Sequence, residues 1–210
     1  PDQQLATLFA EHTATELGAF EAYETFRSRF EEFTEKHRGT EAEARATLWL
    51  IQNTWWLRED GTMESTAFPL AEDLLGRHPK SLHLGLLVEY QYVFKRKQRT
   101  PLFEKVLEVS PHVGVKGSAL FGLARLGPAR DKSGNPNKYF VRMLEEFADV
   151  PWRATTFGAI ANAYLNPLSP EQLAVGKPAP EIIGASENGE PMKLSDYRGQ
   201  VVLLDFWGDW

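Results

Sequence analysis

LGAFEAYETFRSRFEEFTEKHRGTEAEARATLWL, residues 17–50, sets the class of structure that this chain can adopt. Leu17, Phe20, Tyr23, Phe26, Phe30 and Phe33 recur at three- and four-residue steps, which predicts one apolar stripe along a long first helix. The basic end EKHR runs into Gly39, a stop signal, and Thr40 is placed to cap a second helix, EAEARATLWLIQNTWWLRE. Trp49, Trp55 and Trp56 fall on that second helix, where they read as large core side chains packing one helix on the next.

The same punctuation continues outward to about residue 165. MESTAFPLAEDLLGRHP ends on a Gly and a Pro, with Pro69 expected to kink or break it. SLHLGLLVEYQYVFKRK is expected to come next as a helix capped by Ser81. PLFEKVLEVSP then opens and closes on prolines. VGVKGSALFGLARLG carries Ala119, Gly122 and Ala124, small residues that let helices approach closely. A polar loop at Gly127–Lys138 precedes two last helices, YFVRMLEEFADVP and WRATTFGAIANAYLN. Paired amphipathic helices of this size predict a helical bundle or an α-solenoid, loosely like tetratricopeptide or HEAT arrays, without a clean 34-residue period. Adjacent carboxylates such as Glu31–Glu32 and Glu145–Glu146 point to different sides of a helix and read as solvated, so no acid–base pair stands out. This part reads as a packing or interaction module.

Of the 210 residues, 42% are hydrophobic and 25% charged, with a net charge of −6, as in ordinary globular proteins. The basic residues are scattered, and the one cluster, FKRKQR at Phe94–Arg99, reads as a solvated helix end with cations at its C-terminal dipole. No nucleic-acid partner is expected. Membrane-spanning runs are absent, and the start, PDQQLATLFAEH, turns polar at once, unlike a signal peptide. The sequence contains no cysteine, which excludes disulfides, thiolate zinc sites and a cysteine nucleophile within these residues. His12, His37, His78, His83 and His112 show no paired metal spacing beyond His78 and His83, so neither a metal nor a cofactor is expected.

Composition changes near Asn166. NPLSPEQLAVGKPAPEI holds four prolines, a linker composition. PEIIGAS and EPMKL then flank ENGE, whose Asn188-Gly189 signals a hairpin, Ser195 is placed to cap the turn SDYRG, and VVLLDFW reads as a strand buried on both faces. The expected division is a helical domain over 1–166, a linker over 167–174 and a further unit over 175–210.

Read together, VGKPAPEIIGASENGEPMKLSDYRGQVVLLDFWGDW, Val175–Trp210, resembles the opening of a thioredoxin-like domain of the TlpA, ResA and AhpC/TSA-related group. The leading Val-Gly-Lys-Pro-Ala-Pro, the hairpin spacing, LSDYRG and LDFWGDW occur in the family's order; Gln200 replaces a usual lysine. With the helical pattern before it, the resemblance implies a mostly α chain closed by the opening β-hairpin and first central strand of an incomplete thioredoxin-like α/β domain. It also implies a C-x-x-C dithiol directly after Trp210, so that the chain stops just short of it. By the same resemblance Asp205 is the proton-transfer residue of the strand, and Trp207 and Trp210 are the aromatic pair beside the dithiol. The parent protein would be a bacterial, extracytoplasmic thiol-disulfide oxidoreductase meeting a protein substrate or redox partner through the helical domain. This cysteine-free chain would itself be redox-inactive. A peroxiredoxin of the same broad fold, and a non-catalytic helical scaffold with a degenerate redoxin part, remain open. Thirty-odd residues cannot close such a fold, so residues 201–207 are expected to dock on the helices, pair with a second copy or lack order.

Overall fold

The computed structural model describes residues 1–54, 66–153 and 155–205, with the backbone alone at Ala19 and Phe20. Helices dominate: α1 (Asp2–Thr13), α2 (Ala19–Lys36), α3 (Glu41–Asn53), α4 (Ala67–Arg77), α5 (Leu86–Glu89), α6 (Arg96–Val109), α7 (Val113–Arg125), α8 (Lys138–Glu146) and α9 (Phe157–Leu165). The strands among the described residues form two antiparallel pairs, β1 (Pro151–Trp152) with β2 (Thr155–Thr156), and β3 (Ile183–Ala185) with β4 (Pro191–Lys193). The mostly helical class predicted from the apolar spacing is the class that forms.

Two helices that are apolar on more than one side organise the packing. One side of α3 offers Ala42, Ala46, Trp49 and Leu50 to Leu5 and Leu8 of α1 and to Tyr23, Phe26, Phe30 and Phe33 of α2. Its other side sets Ala44, Leu48 and Ile51 against Leu74, Leu87, Phe94 and Phe103. In α7, Ala119 and Leu123 join that same central cluster, while Leu120, Phe121 and Ala124 face Phe140, Met143 and Phe157. A helix with a single apolar stripe covers one neighbour, whereas one that is apolar on two sides must be sandwiched. Three apolar clusters therefore succeed one another in chain order, joined by α3 and α7. Trp49 takes the core role expected of it, stacked on Phe30 with ring centroids 3.8 Å apart.

Small residues set the closest approaches. A Cβ added at Gly122 would lie 2.7 Å from Val88 and 2.9 Å from Phe103, which is the close packing its composition predicted. At Gly117 it would lie 2.3 Å from the Phe157 ring, and at Gly158 2.6 Å from the backbone of Ala148.

Several boundaries differ from those the sequence predicts, each for a local reason. The long first helix is two helices: Gly18 takes extended backbone as the N-cap of α2, and Leu17 is exposed rather than part of the stripe. Gly39 ends α2 with φ +81°, and Thr40 caps α3 by accepting from the Glu43 N–H at 3.2 Å, as predicted. Trp55 and Trp56 lie outside the described residues. Pro69 neither kinks nor breaks α4, because it sits in the first turn, where the missing N–H has no intrahelical partner to lose. Ser81 caps as predicted, but it opens a 3-10 turn, which gives way to the single turn α5 and a second 3-10 turn. FKRKQR starts α6 rather than ending a helix. Arg96 instead reaches the C-terminal end of α7, donating to Leu126 O at 2.8 Å, where the helix dipole is negative. Pro151–Trp152 and Thr155–Thr156 form the β1–β2 pair, so α9 begins at Phe157, capped by Thr156.

Residues 201–205 depart furthest from expectation. They make no strand pairing among the described residues, and Val201 and Leu203 are almost wholly exposed. A central strand takes its burial from partners on both sides, and here only the β3–β4 hairpin stands near it in sequence.

Candidate functional site

The C-terminal hairpin has a well-defined register, with Ile183 opposite Lys193, Gly184 opposite Met192 and Ala185 opposite Pro191. Its loop closes through Ser186 N–H to Glu190 O at 2.8 Å, and Gly189 supplies φ +80°. That is a three-residue loop with glycine in the left-handed position, in the hairpin that Asn188-Gly189 signalled. The turn after β4 is held by carboxylates and not by Ser195. Asp196 Oδ2 accepts from Lys193 N–H at 3.1 Å, and Glu181 Oε1 accepts from the backbone N–H of Ile182 and Ser195 at 3.2 and 3.0 Å. The bonding of Ser195 to Glu181 holds that carboxyl below its ordinary pKa. Gly199, at φ +86°, then leads the chain into the unpaired run 201–205. Asp205 closes this run and is exposed to solvent. Trp207 and Trp210 lie outside the described residues, so Asp205 is the one predicted site residue that the structure places.

A second feature has no counterpart among the sequence motifs. Between α5, α7 and β1 lies a cavity of about 310 Å³. Phe121 and Trp152 meet edge to face on its wall, with centroids 5.4 Å apart. The Arg153 guanidinium lies over the Trp152 ring at 4.6 Å, and that of Arg125 over Phe121 at 5.6 Å. Glu89 Oε2 stands 3.5 Å from Arg153 Nη2. Tyr90 also lines the cavity, and burial raises the pKa of its hydroxyl, with Tyr92 and Glu89 adding to the shift, so it remains a neutral donor. Arg153 carries φ +52°, the one non-glycine positive φ among the described residues. These residues come from three separated segments, and no local pattern in the sequence brings them together.

The third polar cluster is interior. Glu43 is fully buried. Its Oε2 accepts from Gly39 N–H and contacts His78 Nε2 at 3.0 Å, while Arg77 pairs with Oε1. Arg77 also binds Asp73, through Nε at 2.9 Å. Burial, then the Arg77 charge, lowers the pKa of His78. Every partner of this carboxylate belongs to a helix end, so the cluster ties α3 to the end of α4. The His78–His83 pair gathers no metal set: among the described residues no group of three or more His, Cys, Asp or Glu could hold an ion.

No family model matches the chain, and no solved structure matches it. Among curated proteins, the thiol-disulfide oxidoreductase ResA of Geobacillus kaustophilus is 47% identical over 38 residues, 18% of this chain and 22% of that protein. ResA of Geobacillus thermodenitrificans is 45% identical over 38 residues, with the same coverage. ResA of Bacillus thuringiensis is 38% identical over 40 residues, 19% of this chain and 23% of that protein. The chain thus spans less than a quarter of the length of these relatives, and what it shares with them is a short stretch similar to a thiol-disulfide oxidoreductase.

Proposed function

We propose that residues 175–210 open a thioredoxin-like domain and that the whole protein is a thiol-disulfide oxidoreductase. A linker over 167–174 would join that domain to the helical region 1–166, which serves as the module that meets a protein substrate or redox partner. The observation that supports this most is the local identity to ResA proteins, 38–47% over 38–40 residues. Its length is about that of the C-terminal stretch carrying the ordered motifs.

In this reading a C-x-x-C dithiol comes after Trp210 at a helix N-terminus, where the dipole and free N–H groups favour the thiolate. The thiolate attacks a substrate disulfide to form a mixed disulfide. The second cysteine, losing its proton to Asp205, displaces the substrate as a dithiol while the protein's own pair is oxidised. Trp207 and Trp210 shield the exchange from water. The 210 residues contain no cysteine and carry out none of this alone. By the same likeness the protein works outside the cytoplasm; among the described residues no helix is long and apolar enough to cross a membrane.

The test is a disulfide-reduction assay on the full-length gene product, its Asp205→Asn variant and the 210-residue chain. The full-length protein should reduce a model disulfide, and the variant should be slower by about tenfold or more. The cysteine-free chain should be inert. A full-length product without a dithiol after Trp210, or one inert in both redox directions, would sink the assignment. The absence of cysteine from these residues and the Arg-rich cavity favour a second reading, a non-catalytic binding protein. It predicts ligand retention by the helical region with no thiol chemistry anywhere in the full-length product.

A further inference from the structure

We propose that the cavity between α5, α7 and the β1–β2 hairpin binds a carboxylate joined to a planar apolar body of the size of an aromatic amino acid. This concerns the helical region only and does not depend on the redoxin assignment. Three observations carry it.

The first is shape and lining. At about 310 Å³ the cavity can hold one ring with a short polar head. Buried Val88 and Gly122 line it together with the Phe121–Trp152 pair, which offers aromatic surface to a planar guest.

The second is the disposition of charge. The guanidinium carbons of Arg125 and Arg153 lie over the rings of Phe121 and Trp152. A guanidinium over a ring keeps N–H donors for a further partner, and such donors match a carboxylate bidentately. Among the described residues Arg125 makes no ion pair. The Arg153–Glu89 contact, at 3.5 Å, is longer than a charge-assisted hydrogen bond. Both forks are therefore incompletely used. Contact with the rings also restricts both side chains, which lowers the ordering cost of binding.

The third is backbone. Arg153 holds φ +52°, a region that a side-chain-bearing residue adopts at a cost in free energy. Such outliers concentrate at ligand-holding positions. Here the unusual backbone coincides with the residue whose guanidinium lies over Trp152.

The shared chemistry has two sources, a free aromatic acid and the C-terminal residue of a peptide. Titration calorimetry on the 210-residue chain with N-acetyl-L-phenylalanine, its carboxamide, and a tetrapeptide ending in phenylalanine separates them. The acid should bind saturably at about millimolar or lower concentration, and the carboxamide about tenfold more weakly. Tighter binding of the tetrapeptide than of the acid identifies a chain terminus; exclusion of the tetrapeptide identifies a small molecule. Arg125→Gln and Arg153→Gln should each weaken binding of the acid about tenfold, and Glu89→Gln should strengthen it several-fold by removing the competing carboxylate. All three side chains are exposed, and unchanged circular dichroism and Tm confirm that the fold survives. Equal binding of acid and carboxamide, indifference to Arg125→Gln, or no saturable heat up to about 10 mM acid overturns the proposal.

Discussion

Glu43 and His78 stand 35 residues apart in sequence and meet in the interior, His78 Nε2 lying 3.0 Å from Glu43 Oε2. With Arg77 on the other carboxylate oxygen and Gly39 N–H on the same one, the contact fixes the start of α3 against the end of α4. Removing one member of a buried, hydrogen-bonded pair leaves the others desolvated without a partner. Glu43→Ala should therefore cost about 3 kcal/mol in urea unfolding, at the low end for buried pairs because Arg77 can turn toward solvent. A change below about 0.5 kcal/mol would show that the cluster is not a tie between these helices.

Burial lowers the pKa of His12, whose ring meets Phe26 and Trp49 edge-on at 5.3 and 5.2 Å. Its folded pKa thus lies below the ordinary value of 6.5, so the unfolded chain takes up the proton first as pH falls. Stability is full above that value and is lost as pH falls through the folded pKa. His78 shifts in the same direction and adds to the loss. The urea midpoint should drop between about pH 7.5 and about pH 5, and the drop should be shallower in His12→Phe. Identical pH profiles for the two proteins would contradict this account.

Glycine substitutions should split by sign. Gly158→Ala puts a methyl 2.6 Å from the Ala148 backbone, and Gly117→Ala puts one 2.3 Å from the Phe157 ring. Each should destabilise by about 2 kcal/mol or more, since tight cores resist added volume. Gly76, within α4, has open space at the same position, so Gly76→Ala should stabilise by about 0.5–1 kcal/mol. Thermal unfolding of the three variants reads the contrast directly: two Tm values below that of the parent chain and one above.

Lys97 lies in the first turn of α6, where a cation opposes the helix dipole. Lys97→Glu should raise stability by about 0.5 kcal/mol in low salt, with the gain shrinking as salt rises. Arg96→Ala should do the opposite, because it removes the hydrogen bond to Leu126 O at the end of α7. No change in either variant would mean that these charges are fully screened.

Local signals read well where the physics is local. Gly39 with Thr40, Ser81 and Asn137-flanked loop 127–138 mark real boundaries because capping and positive φ depend on a few adjacent atoms. The break at Gly18, the fragmented stretch 82–93 and the α6 start at Arg96 were not legible in the same way. There the apolar spacing runs on through the break, and the neighbours that settle the geometry, such as Leu126 for Arg96, lie elsewhere in the chain. At the site, the residues of LSDYRG predicted a turn, but which carboxylate holds it depended on Glu181 folding back from before β3.

By itself the sequence determined the mostly helical class, the change of character after Asn166 and the short stretch related to ResA proteins, because periodicity, proline content and ordered motifs all survive without coordinates. Tertiary structure alone decided that α3 and α7 are shared walls between successive apolar clusters, that Glu43 is sealed between helix ends, and that Arg125 and Arg153 converge on Phe121 and Trp152. The physical reason is common to all three. Burial and charge are settled by contacts between segments distant in sequence, and no local pattern records which segments will meet.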